Sequence, residues 1–358
     1  MADITPSGHL KLFLGYAAGV GKTYRMLAEA QQMRREGADV VIGYFEPHGR
    51  ADTMALAAGL ETVPRRRVEY RGAWFEEMDL EAILRRRPGV CVVDEFAHSN
   101  IPGSRHEKRW EDVLDLLAAG IDVLTNMNIQ HLESLNDQVQ SISNIRVRET
   151  VPDWVVQRAD EVVMVDLTPR ALLNRLERGV IYAPEKARRA AENFFRESTL
   201  VALRELALRQ AAHEVESREA PTPAPASGER ILIHVTADPS TAMLIRRGRR
   251  VADYLHATCY AVHVAAPGQE AEGDGAAVER HLNFARNLHI DTRTLRGTEV
   301  ARTLVDFAQL HGITQIFVSR PPQRRFALSL ITRIVRLARD MQITIVADRS
   351  ARTERAAD

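Results

Sequence analysis

The nonapeptide GYAAGVGKT, residues 15–23, stands directly behind the apolar run LKLFL of residues 10–14. Two readings compete for it: a plain glycine turn between a strand and a helix, or a cradle for phosphate. A cradle needs glycines that let backbone N–H groups turn inward and a following helix whose N-terminal dipole favours an anion. It also needs a lysine that reaches the terminal phosphates, and a Ser or Thr hydroxyl for Mg²⁺. Gly19, Val20, Gly21, Lys22 and Thr23 supply these parts in that order, with strand pattern before and helix pattern after, so the phosphate reading is favoured. One position departs from the usual pattern. Six residues before the lysine a small residue is expected, and Tyr16 stands there, with the glycine one place earlier at Gly15. Either the loop is entered differently or Tyr16 lies against the nucleotide.

A second element agrees with the first. GVCVVDEFAHSN, residues 89–100, is an apolar strand ending in Asp94-Glu95. A carboxylate at a strand tip behind a phosphate loop would hold the Mg²⁺ shell with Thr23, and the next one could orient or deprotonate an attacking water or hydroxyl. On this reading Lys22, Asp94 and Glu95 carry the chemistry. Read alone, the same stretch would be a strand followed by a solvated acidic turn.

Polar groups follow the other strand-like runs too: Glu46, His48 and Arg50 in FEPHGR, Asn126, Asn128 and His131 after DVLT, and Asp166 and Thr168 after VVMV. In a parallel sheet such strand ends converge on one crevice. Taken singly each is a loop-capping group; as a set they suit sensing of the γ-phosphate or recognition of a second substrate. PGSRHEKRW, residues 102–110, puts Arg105, His106, Lys108 and Arg109 beyond the acidic pair, either as a solvated helix start or as a basic loop that reads phosphate state. The arginine runs at 65–67 and 85–87 carry no motif and read as solvated surface.

Composition bounds the rest. The 358 residues suit about two domains. Hydrophobic residues make up 45% and charged residues 27%, an ordinary globular mixture. Lys+Arg and Asp+Glu both number 48, so no net field draws the chain to nucleic acid or to an anionic membrane. Cys91 and Cys259 lie in strand-like runs and read as buried thiols of a reducing compartment. No stretch approaches the ~18 apolar residues of a membrane span, and the N-terminus lacks a secretory pattern. The expected location is the cytoplasm, without membrane insertion.

Short apolar runs alternate with helical patterns up to residue 218. Strands are predicted at Leu10–Leu14, Val40–Phe45, Val90–Val93, Ile121–Thr125, Ile145–Arg148 and Val162–Val165. Helices are predicted over Lys22–Gly37 and Trp110–Ala119, with Gly37 and Gly120 as caps, and over roughly 185–216. EAPTPAPASGE, residues 219–229, is a proline- and alanine-rich linker. From 230 to 350 the alternation restarts with five strands. The fold class is therefore α/β: a P-loop NTPase-like, mostly parallel sheet flanked by helices over 1–218, then a smaller five-stranded α/β domain.

Five stretches closely resemble the KdpD family of bacterial potassium-responsive sensor kinases, in its N-terminal cytoplasmic region. They are FLGYAAGVGKTYRMLAEA, DEFAHSNIPGSRHEKRWEDV, GIDVLTNMNIQHLESLND, VRETVPDWVVQRADEVVMVDLTP and ALRELALR. The resemblance runs over residues 8–215, and the second domain resembles the universal-stress-protein-like module that follows in the same family. It implies an ATP-binding domain that tunes signalling: Gly19, Gly21, Lys22 and Thr23 would hold ATP, Asp94 would hold Mg²⁺, and Glu95 would be catalytic. It also implies an atypical serine kinase acting on the potassium pump KdpFABC, or a module that acts on a KdpD-type sensor kinase. No HELRTP-like phospho-acceptor box and no glycine-rich kinase lid occur in the 358 residues, so histidine-kinase activity is not expected of this chain.

The second domain departs from its relatives. Nucleotide-binding stress proteins carry a G-x2-G-x9-G-[ST] signature after the fourth strand, where this chain has VSRPPQRRFALSLITR, with Arg320, Arg324 and Arg325 and no glycine. Such a loop suits an acidic partner or an anionic ligand through charge rather than a backbone nest. The stretches VTADPST and CYAVHV match the cyclic di-AMP-binding turn and strand of some family members poorly, so cyclic di-AMP is the less expected ligand. Two functions from different classes stay open: an enzyme that hydrolyses ATP or transfers its phosphoryl group, and a non-catalytic module in which ATP occupancy alone carries the signal.

Overall fold

The computed structural model describes residues 7–47, 49–181, 194–219, 228–265, 274–319 and 327–347. The chain divides into two compact units, Met1–Arg218 and Glu219–Asp358.

The first unit alternates strands β1 (Leu10–Gly15), β2 (Val40–Tyr44), β3 (Glu61–Thr62), β4 (Arg66–Tyr70), β5 (Ala73–Glu77), β6 (Val90–Val93), β7 (Asp122–Asn128) and β8 (Glu161–Met164) with helices. These are α1 (Lys22–Arg35), α2 (Ala51–Ala57), α3 (Leu80–Arg86), α4 (Arg109–Ala118), α5 (Asn136–Ser143), α6 (Asp153–Gln157), α7 (Pro169–Glu177) and α8 (Glu197–Glu219). Six strands form one sheet in the order β3-β2-β6-β7-β1-β8, and every pairing in it is parallel. The central strands are buried on both faces, as helices above and below a parallel sheet require. Helix α1 turns the stripe Met26, Leu27 and Ala30 to that sheet. Gly37 and Gly120 end α1 and α4 in left-handed geometry. The N–H groups of Ala38 and Ile121 return to the carbonyls of Met33 and Leu116, and those of Gly37 and Gly120 to Arg34 and Leu117, which satisfies the last-turn carbonyls.

Three expectations need correction. Ile145–Arg148 is not a strand: it pairs with no strand of the sheet, and the neighbours of β7 are β6 and β1. Instead the side chain of Asn136 holds the carbonyl of Val147. The arginine runs are not simply solvated. Arg65 reaches the carboxylate of Glu46 and the carbonyl of Phe45 and stacks on Tyr44, and Arg86 forks onto Asp39 and Glu61. Finally, β4 and β5 form an antiparallel hairpin that the sequence reading left out. Its two-residue turn places both Arg71 and Gly72 in left-handed backbone, the geometry that matches strand twist.

The second unit holds β9 (Arg230–His234), β10 (Thr258–Ala265), β11 (Asp291–Arg296), β12 (Gln315–Ser319) and β13 (Gln342–Val346). Between them run α9 (Thr241–Tyr254), α10 (Asp274–Asn287), α11 (Val300–Leu310) and α12 (Ala327–Leu337). The strands form a parallel sheet in the order β11-β10-β9-β12-β13. Alternation along β9 sends Ile231 and Ile233 to one core and Leu232 to the other, so both faces are covered. Arg320, Arg324 and Arg325 lie outside the described residues. On α9, Arg249 is largely buried and pairs with Asp253 at 2.6 Å. Among the described residues no helix is long and apolar enough to cross a membrane.

Candidate functional site

The site grows from the turn between β1 and α1. Gly19 and Gly21 both have positive φ, 87° and 111°, which side-chain-bearing residues adopt only under strain. Gly21 is the N-cap of α1 and offers no side-chain cap, so the first-turn N–H groups of that helix stay available. The nearest atom a Cβ at Gly21 would meet is 3.9 Å away, which leaves open space in front of the turn. Gly15 serves a different purpose: a Cβ there would come within 2.7 Å of Val20 Cγ2 and 3.0 Å of Lys22 Cδ. Its lack of a side chain makes room for the stem of Lys22.

Tyr16 does not lie against this space. It is fully buried, its hydroxyl donates to the carbonyl of Leu167 at 2.7 Å, and burial pushes its pKa up to about 12, helped by the charge of Asp166. The departure from the usual pattern is thus a core anchor at the loop entry.

Lys22 is buried. Its ammonium donates to the carbonyl of Ala17 at 3.2 Å and to Asn128 Oδ1 at 2.5 Å. Burial lowers its pKa to about 8, against the attraction of Asp94 and with the repulsion of Arg50. Asp94, at the tip of β6, is buried and holds the next layer. Asn126 Nδ2 donates to its Oδ1 at 2.5 Å, the hydroxyl of Thr23 stands 3.4 Å from the same oxygen, and the Glu46 N–H reaches Oδ2 at 3.3 Å. Burial raises the pKa of Asp94; the Asn126 bond opposes that and the charge of Glu95 adds to it. Glu95 sits in left-handed backbone at φ 58°, a strained conformation for a side-chain-bearing residue. Arg109 Nη1 lies 3.6 Å from its Oε2.

A cavity of about 230 Å³ brings Gly19, Gly21, Lys22 and Thr23 together with Asp94, Glu95, Asn126, Asn128, His131 and Arg50. On the other side of the loop a wider cavity of about 1420 Å³ is lined by Val20, Tyr24, Arg25 and Arg175 among others. Arg175, on α7, ties down the loop by donating to the Gly19 carbonyl at 3.0 Å. A buried ammonium, a free helix N-terminus, a hydroxyl and a carboxylate facing one space fit a Mg²⁺-complexed polyphosphate. The oxygen donors of Thr23 and Asp94 are the hard ligands Mg²⁺ prefers.

Other sequence candidates stand elsewhere. The carboxylate of Glu46 turns to Arg65 and Tyr44, and only its N–H reaches Asp94. His48 lies outside the described residues. Arg105 does not line the cavity: Glu81 holds it at 2.6 Å and Asp115 at 3.0 Å. Asp166 pairs with Arg204 of α8, and Thr168 caps α7, because β8 is the edge strand and its loop leads away. Arg109, read either in a solvated helix start or in a basic loop, does start α4 but is fully buried there.

Sequence reasoning missed His98 and Glu149 on the cavity wall, and Glu77 behind it. His98 Nε2 contacts Glu77 at 3.1 Å, and the Ser99 N–H donates to Glu149 at 2.8 Å. His98 follows Asp94-Glu95 closely enough to have been suspected; the two glutamates arrive from distant segments and leave no local signal.

The family model described as the osmosensitive K⁺ channel His kinase sensor domain, KdpD, matches residues 6–215. Sensor protein KdpD of Escherichia coli (strain K12) is 43% identical over 351 residues, covering 95% of this chain and 39% of that protein. A KdpD-type sensor protein of Synechocystis sp. is 43% identical over 349 residues, covering 95% of this chain and 94% of its own. The chain therefore spans about two fifths of the former and nearly all of the latter. A universal stress protein solved with cAMP aligns with 33% of this chain and 96% of its own at 13% identity and TM-score 0.28, too remote to carry an argument.

Proposed function

The chain belongs to the KdpD family of sensor proteins, and on that premise we propose that its first unit is a MgATP-dependent regulatory module of a potassium-homeostasis system. The N–H groups of residues 19–23 and the Lys22 ammonium would surround the β- and γ-phosphates, and Thr23 and Asp94 would hold Mg²⁺. Glu95 borders the place where an attacking hydroxyl would stand. Bound MgATP supplies the transferable phosphoryl group; the protein supplies position and charge. The wider cavity beyond Gly19 and Gly21 gives room for the nucleoside. The output would go, as the family resemblance suggests, to the pump KdpFABC or to a KdpD-type sensor kinase.

The observation that carries the reading is the meeting of Lys22, Thr23 and Asp94 on one cavity at an uncapped helix N-terminus. Calorimetry with MgATP tests it. Lys22→Ala removes a charge-assisted phosphate contact and should weaken binding about ten- to 150-fold. Glu95→Gln should bind as the wild type does and turn nucleotide over more slowly. Equal loss of binding in both variants would overturn the roles, and a wild-type protein that ignores MgATP would overturn the reading.

A further inference from the structure

The wall of the smaller cavity away from the phosphate loop carries a histidine that the nucleotide reading does not use. His131 ends the short 3-10 turn Ile129–His131 that follows β7, and its ring lines the cavity. Its Nδ1 lies 2.8 Å from the carbonyl oxygen of Glu149. A carbonyl only accepts, so the proton sits on Nδ1 and Nε2 presents a lone pair. Among the described residues, that contact is the ring's one hydrogen bond.

The surroundings favour a neutral ring. Burial lowers its pKa; the Glu149 carbonyl and carboxylate oppose this, the charge of Lys22 adds to it, and Glu95 opposes it weakly. Lys22, Glu95 and Glu149 are thus the charged groups the ring faces. The other candidates for taking a proton are engaged. His98 gives Nε2 to Glu77, and its Nδ1 stands 3.7 Å from the Glu149 carboxylate. Glu95 is in ion-pair reach of Arg109.

We propose that His131 Nε2 accepts the proton of the hydroxyl that attacks the γ-phosphate, while Glu95 orients that hydroxyl. The inference rests on the MgATP reading. As the hydroxyl oxygen bonds to the γ-phosphorus, the bond from that phosphorus to the β-phosphate oxygen breaks and its electron pair leaves with ADP. The proton passes to Nε2, and Glu95 and Glu149 offset the charge of the imidazolium until solvent takes the proton. Water and a protein serine supply the same hydroxyl chemistry. Proton transfer by a positioned base contributes about 10²–10⁴-fold, and the loose transition state of phosphoryl transfer puts His131 near the lower end, about 10²-fold.

His131→Asn tests this, because the asparagine amide can keep the donor to the Glu149 carbonyl while the Nε2 lone pair is lost. The full chain is incubated with MgATP labelled at the γ-phosphate, with and without a candidate acceptor protein. Label released as inorganic phosphate marks water as the acceptor, and label on protein marks serine. The variant should bind MgATP and melt as the wild type does, yet turn over about 10²-fold more slowly. Independently of turnover, ¹⁵N spectra of the wild-type histidine rings near pH 7 should show His131 protonated at Nδ1 and bare at Nε2. Undiminished turnover in the variant, a proton on Nε2, or MgATP that the wild type binds and never consumes would each overturn the inference alone. Equal falls in affinity and turnover would mark a structural role and overturn it too. Wild-type protein that binds no MgATP would take the nucleotide reading down with it.

Discussion

Among the described residues Arg109 is the largest fully buried side chain, and its surroundings allow a quantitative expectation. Its guanidinium lies 3.1 Å from Glu77 Oε2, donates to the Asp94 carbonyl at 3.3 Å and stacks 3.7 Å from the centre of the Tyr44 ring. Glu77 is buried as well. Burial alone would raise its pKa, but the hydrogen bond and charge of His98, the charge of Arg109 and the Ile101 N–H prevail and hold it below its usual value. Breaking a buried pair by removing one partner costs about 3–5 kcal/mol, because the other charge stays behind in low dielectric. Arg109→Met should therefore destabilise the first unit by about that amount, a large share of a typical total of about 5–15 kcal/mol. Adding Glu77→Gln removes the stranded charge while keeping a group that can meet His98 and Ile101. The double variant should be more stable than the sum of the single losses allows, by about 1.5 kcal/mol or more. Urea unfolding followed by tryptophan fluorescence reads this directly, since Trp74, Trp110 and Trp154 are the chain's three tryptophans and all belong to the first unit. Strictly additive losses, or an Arg109→Met loss below about 1 kcal/mol, would refute the reasoning.

Two further outcomes are expected. Gly15→Ala puts a methyl 2.7 Å from Val20 Cγ2 and 3.0 Å from the Lys22 stem. It should cost about 1–3 kcal/mol of stability and displace the ammonium, so a variant with wild-type melting midpoint and MgATP affinity would contradict the role given to this glycine. Asp112 is buried beside Asn100, which donates to it at 2.7 Å, and burial raises its pKa to about 6. Its folded value lies above its unfolded one, so its ionisation should destabilise the fold progressively between about pH 4 and pH 6, by about 2 kcal/mol after allowance for solvent screening. Asp112→Asn should then be more stable than the wild type at pH 7, with the difference shrinking as the pH approaches 4; urea midpoints across that range check it.

The parts of this protein that are legible in its sequence are those whose physics is local. The alternation of buried strands and striped helices, the glycines that end α1 and α4, and the order Gly19, Gly21, Lys22, Thr23 each depend on neighbours a few residues away. What stays hidden depends on distant partners. Nothing near Tyr16 tells that its hydroxyl will meet the carbonyl of Leu167. Nothing near Glu149 tells that it will face His98 and His131. Ile145–Arg148 has strand-like composition, but its Val147 carbonyl goes to the side chain of Asn136 and not to a ladder, a pairing that composition does not record. The β4–β5 hairpin is obscured by its arginines and by an Arg-Gly turn in place of the usual Asn-Gly or Asp-Gly signal.

Local and distant physics meet at Lys22. The local motif specifies a lysine there; the fold then buries it and gives it only neutral acceptors, the Ala17 carbonyl and the Asn128 amide oxygen. Among the described residues no carboxylate comes within ion-pair distance of the ammonium, although Asp94 is close enough to attract it. A buried cation held this way is disfavoured, as its lowered pKa records, and a domain selected for stability alone would carry a methionine of similar shape. The arrangement makes physical sense if an anion completes it. The uncapped N-terminus of α1 points the same way, since it concentrates a second positive potential on the space that Lys22 borders. Two independent sources of positive potential border one cavity, and among the described residues no carboxylate pairs directly with the ammonium or caps the helix end, which is the physical reason to look for phosphate there.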